Sequence, residues 1–177
     1  PLADFALLHA AEWRVGTSDF DAAVADGTRV GADPALAPAL DLVMADALAG
    51  KGDAGGAAAR LRAYLARERH PPKWVALTLR LAEMLLRRPG QAHAEEAIAL
   101  ARRVIEESPR GAGAGDARDI EKRALGTLPF ARRKRFEHPT SDELLRQAKN
   151  LVASHQPKEA LAAAAKLLRL PRAKKGD

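Results

Sequence analysis

Cysteine is absent from this chain. That excludes disulfides, thiolate catalysis and cysteine-held zinc, and leaves the redox compartment open. Aromatic residues make up only 4%, which disfavours a sheet, since strands draw on β-branched and aromatic side chains. No apolar run reaches the roughly 20 residues that cross a bilayer. Chemical motifs are missing too. GKGDAGG at 50–56 and RGAGAG at 110–115 lack the lysine–serine/threonine ending that holds phosphate and magnesium, and no G-x-S-x-G elbow occurs. Of His9, His70, His93, His138 and His155, none lies four residues from another. His9 and Glu12 share a helical face, but a stable zinc site needs three or four ligands. Adjacent carboxylates such as Glu95/Glu96 and Glu106/Glu107 point about 100° apart on a helix, so they read as solvated surface. No cofactor, metal or catalytic residue is therefore expected.

What the chain has is alanine and charge. Hydrophobic residues make up 47% of its 177 positions. That composition suits thin, closely packed helices. The 29 basic and 23 acidic residues give a net charge of +6. The excess favours anionic surroundings, but the interleaving of signs favours a well-solvated helical surface, and nucleic acid is an unfavoured partner.

Small residues recur at regular spacing. Glu143–Pro171 reads as two helices joined by a turn, with Ala148 and Leu151 on the inner face of the first and Ala160, Ala164 and Leu167 on that of the second. Ala148 and Ala160 stand at i and i+12, as do Ala10 and Ala22, and Ala45 and Ala57; Ala82 and Ala97 stand at i and i+15. The first marks fall at positions 10, 45, 82 and 148, so the first two steps are nearly equal and the last is close to two of them. Small side chains let antiparallel helices approach closely, and a period of about 34 residues is the tetratricopeptide spacing. The expected fold is all-α, with hairpins stacked as a tetratricopeptide-like right-handed superhelix.

Helical periodicity and breakers divide the chain further. A repeat array over 1–128 holds hairpins at about 2–30, 35–69 and 72–108 and a helix at 116–127. A connector follows at 129–140, in which 130–139 reads as a short helix or an ordered connector, then a hairpin at 141–171 and a frayed tail at 172–177. Ser18 is the expected cap of the second helix, whose polar side (Asp19, Asp21, Asp26, Arg29) is expected to face solvent. Asp33-Pro34 is expected to open the third helix. Glu95 and Glu96 suit the positive end of the sixth helix, whereas Glu106 and Glu107 sit at its unfavourable end with no local reason. PRGAGAG at 109–115 reads as a loose linker. Thr140 with Glu143 matches a capping box. The run Arg132, Arg133, Lys134, Arg135 between Phe130 and Phe136 is the one basic cluster. Its functional reading is an anion or partner contact; the plainer reading has the phenylalanines anchor the connector while the charges stay in water.

The stretches PLADFALLHAAE, LRAYLARERHPP, VALTLRLAEMLL, ALARRVIEESPRGAGAGDARDIEKRALGTLP and RQAKNLVASHQPKEAL, in that order, resemble the helical superhelix of soluble lytic murein transglycosylases. The resemblance implies a periplasmic parent enzyme that cleaves the peptidoglycan glycan strand, with this segment as its non-catalytic scaffold, positioning the strand or cell-wall proteins. That family carries its catalytic glutamate in a Glu-Ser context. Glu107-Ser108 stands here at the end of a repeat helix with no catalytic-domain sequence around it, so no catalytic residue carries over. Pro1 in place of a methionine is read as the start of an excised or processed segment. A free-standing tetratricopeptide adaptor, binding a protein or peptide in its concave groove, is the alternative.

Overall fold

The computed structural model describes residues 2–67, 71–137, 141–153 and 155–169. These form ten helices and, among the described residues, no strand: α1 Leu2–Gly16, α2 Phe20–Arg29, α3 Ala37–Gly50, α4 Ala54–Arg67, α5 Trp74–Leu86, α6 Gln91–Glu107, α7 Ala114–Thr127, α8 Phe130–Glu137, α9 Ser141–Ala153 and α10 Pro157–Arg169. Short turns force antiparallel pairing of α1 with α2, α3 with α4, α5 with α6 and α9 with α10. The first three pairs also meet one another in order, through α2–α3 and α4–α5. Helix α7 lies against α6 and touches α5, whereas α9 rests on α6 and not on α7.

Alanine sits where these helices cross. Ala45, Ala57, Ala82 and Ala97 are fully buried within one cluster that runs from Ala45 to Leu128. In the first pair the register is one residue later than the spacing suggests. Ala11 and Ala23 are fully buried, while Ala10 and Ala22 are half-exposed. Ala11 shares a face with Leu8 and Val15 and packs with them against Val43 of α3. Ala11 and Ala23 again stand at i and i+12. In the last pair the inner face is Leu144, Leu151, Ala160 and Ala163, with Ala148 and Ala164 half-buried.

Several local expectations are corrected. Asp19, not Ser18, caps α2, its carboxylate accepting from the Ala22 N–H at 3.4 Å. Ser18 instead makes the left-handed step of the turn, at φ 62°. Asp26 does not face solvent. It is buried between Arg14 (3.2 Å) and Arg29 (3.6 Å). Asp33-Pro34 belongs to a turn before α3, where the Asp33 carboxylate accepts from Ala35 N–H at 2.9 Å; the proline in the first turn of the helix is Pro38. Helix α6 starts at Gln91, so Glu95 and Glu96 lie beyond its first turn and beyond reach of the terminal dipole. Segment 109–115 is a packed turn rather than a loose linker. Ala114 is buried, and Gly113 holds φ 95° with its α-carbon so close to α5 that a β-carbon would lie 2.7 Å from Val75 Cγ1. Residues 130–137 of the connector, open in the sequence between a short helix and an ordered connector, take the helical form. Thr140 of the expected capping box, His70, His138 and the tail from 170 lie outside the described residues.

Candidate functional site: a basic helix and a polar cleft

Helix α8 carries the basic run, and the helical period spreads it around the axis. Arg132 reaches back to α6, its Nη1 donating to Glu95 Oε1 at 2.8 Å. Arg133 lies half-buried and donates to the carbonyls of Gly126 (3.4 Å) and Leu128 (3.3 Å), the end of α7. Its Nε is buried with no partner among the described residues. Lys134 and Arg135 form no ion pair among the described residues. The two phenylalanines differ as well. Phe136 packs on the main cluster with Arg102 over its ring at 5.7 Å, and Arg102 Nη2 also donates to the Phe136 carbonyl at 2.5 Å. Phe130 is exposed. Two of the four cations thus fasten α8 to α6 and α7, and within the run only Lys134 and Arg135 are without an ion pair among the described residues.

A second feature was invisible in the sequence. Helices α6 and α7 and the α9–α10 pair enclose a cleft of about 390 Å³. Glu106, at the end of α6, sits on one wall, where its carboxylate faces Arg146 of α9 (3.8 Å) and its carbonyl accepts from Asn150 Nδ2 (3.2 Å). Glu107 pairs with Arg103 one turn back at 2.8 Å. These contacts supply the reason for two carboxylates at an unfavourable helix end: one joins α6 to the last pair, the other is neutralised within its own helix. Arg110 pairs with Glu159 across the same cleft. Arg118 ties the 109–114 turn down through the carbonyls of Pro109 (3.2 Å) and Ala114 (3.4 Å).

Two groups in the cleft have no such duty. Lys166 forms no ion pair among the described residues. Gln156 is only 7% exposed and lines the cleft, yet no hydrogen bond among the described residues uses its side-chain amide. Arg133 Nε, not the Gln156 amide, is the buried side-chain atom left without a partner among the described residues, so Gln156 offers the cleft an amide that can donate to or accept from a ligand or water. Gln147 adds a second amide to the wall. The cleft can therefore donate to and accept from a polar ligand while offering the Lys166 ammonium.

Elsewhere the charged groups join helices. Arg62 of α4 forks onto Glu96 of α6 at 2.5 and 2.6 Å. The Arg62 hydrogen bonds hold the Glu96 carboxyl below its ordinary range, against the opposing effect of burial, and Glu96 in turn raises Arg62. Asp41 is buried between Arg60 (3.2 Å) and Arg67 (2.5 Å). His9 Nδ1 lies 2.7 Å from Glu12 Oε2, and among the described residues no three metal-ligating side chains converge. No family model, no curated protein and no solved structure matches this chain.

Proposed function

We propose that this chain is a non-catalytic scaffold of stacked tetratricopeptide-like hairpins that holds an extended polar ligand in the cleft between α6, α7 and α9–α10. Following the sequence resemblance, the ligand is a peptidoglycan strand, and the parent is a periplasmic enzyme that cleaves it. The observation that supports the binding role is the polar lining of the cleft, to which Gln156 and Gln147 bring side-chain amides and Lys166 an ammonium. The stacked arrangement is supported by helix pairs that meet in chain order through alanine crossings. Such packing gives shape and rigidity rather than chemistry. Amides beside a free ammonium suit the amide-rich, carboxylate-bearing peptidoglycan strand.

Co-sedimentation with purified sacculi tests this reading. The chain is expected in the pellet at low salt, and Gln156→Ala and Lys166→Glu each lower the bound fraction severalfold without changing the melting midpoint. A chain left in the supernatant, or variants that bind as well as the parent, refutes it. Capture of peptides in place of sacculi would favour the alternative, a free-standing adaptor.

A further inference from the structure

The cleft between α6, α7 and α9–α10 holds more positive charge than its own carboxylates answer. Its charged lining is Arg110, Arg118 and Lys166 against Glu106 and Glu159. Both carboxylates are engaged. Glu159 pairs with Arg110, and Glu106 faces Arg146 of α9 at 3.8 Å. Arg118 and Lys166 meet no carboxylate within ion-pair distance among the described residues.

Arg118 is fixed by neutral groups instead. Its Nη1 donates to the Ala114 carbonyl at 3.4 Å and its Nη2 to the Pro109 carbonyl at 3.2 Å. Carbonyls orient a guanidinium and leave its charge whole, and its other N–H groups stay free to donate. Lys166 lines the same space from α10. Helices α7 and α10 do not meet each other directly, so the two cations come to the cleft from separate walls.

The lining carries one net positive charge, which suits a single carboxylate. A phosphate dianion would bring more charge toward Glu106 and Glu159 than the cations balance. An arginine fork and an ammonium are the ordinary partners of a carboxylate. Gln147 and Gln156 in the same lining can accept from and donate to the amide that precedes such a group in an acylated amino acid. A space of about 390 Å³ is large enough to hold one.

We propose that Arg118 and Lys166 bind the carboxylate of an acylated amino acid, the group that ends a peptide. This rests on the cleft being the ligand site, and it names what is read there: a charged peptide end, not the neutral sugar of a glycan strand.

Proton–nitrogen correlation spectra of the 177-residue chain test this with N-acetylalanine, its uncharged amide and inorganic phosphate as probes. N-acetylalanine is expected to shift the side-chain amides of Gln147 and Gln156 saturably. The uncharged amide and phosphate each bind about tenfold more weakly or less, and Lys166→Gln and Arg118→Gln each weaken N-acetylalanine about tenfold. Lys166→Gln breaks no hydrogen bond among the described residues, so it decides the matter even where Arg118→Gln loosens the 109–114 turn. No saturable shift, equal binding of the uncharged amide or of phosphate, or full affinity in Lys166→Gln overturns the proposal. Sacculi separate this site from the wider reading. Binding of N-acetylalanine by a chain that leaves sacculi in the supernatant supports the site and refutes the strand as its ligand. Co-sedimentation that persists undiminished after the sacculus carboxyls are converted to amides refutes the site and keeps the strand.

Discussion

Replacing Gly50 by alanine pits two effects against each other. Gly50 is the last residue of α3 and has ordinary helical backbone, so helix propensity alone makes alanine better by up to about 1 kcal/mol. Space argues the other way. A β-carbon at Gly50 would lie 2.4–2.5 Å from Cε1, Cδ1 and Cζ of Phe20, the first residue of α2. Three ring atoms have to move together, and overpacking of this kind costs about 1–3 kcal/mol. The expected net result is a loss of about 1 kcal/mol, read as a lower urea midpoint at unchanged slope. In a Phe20→Ala background the clash is gone, and the same Gly50→Ala change is expected to become neutral or stabilising. The coupling between the two sites is then about 1–2 kcal/mol. Gly52→Ala is the control. Its φ of 83° is strained for alanine and no atom lies near its β-position, so it loses about 1–2 kcal/mol in either background. If Gly50→Ala stabilises the parent and the Phe20→Ala chain equally, the close α2–α3 approach is refuted.

Four further outcomes follow from the contacts. Because the Glu96 carboxyl is held low, its contribution is fully present above about pH 4.3 and is lost as pH falls through the folded value. Glu96→Gln is therefore expected to lose less stability than the parent between neutral and acid urea titrations, by about 0.5–1 kcal/mol for a pair this exposed. Removing both Arg60 and Arg67 strands the buried Asp41 carboxylate and is expected to cost about 3 kcal/mol in urea unfolding, more than Asp41→Asn, which leaves only solvated arginines behind. Arg133→Ala is expected to lower the melting midpoint through the lost α7 contacts, while Lys134→Ala and Arg135→Ala leave it within about 1 °C. Ala160→Leu overpacks the α9–α10 pair and is expected to cost about 1–3 kcal/mol, read as a lower midpoint.

Much of the helical frame was legible because it rests on local chemistry. Alanine at 45, 57, 82 and 97 sits within apolar periodicity, and the burial agrees. The first pair was ambiguous for a specific reason: Ala10/Ala22 and Ala11/Ala23 satisfy the same spacing, and only Val43, far along the chain on α3, decides between them. Asp26 read as surface because its nearer partner, Arg14, lies on the neighbouring helix. The dispersal of the basic run was legible in principle, since consecutive residues on α8 diverge by about 100°. The cleft was not legible, because its walls come from segments distant in the chain and depend on α9 resting on α6.

Adjacent alanines offer the most direct test of the idea that small side chains at helix crossings set this packing. Ala11 is fully buried against α3, and Ala10, its immediate neighbour, is half-exposed. Urea unfolding of Ala11→Leu is expected to show a loss of about 1–3 kcal/mol, and that of Ala10→Leu a change within about 0.5 kcal/mol. Equal losses at the two positions, or a larger one at Ala10, would contradict the account.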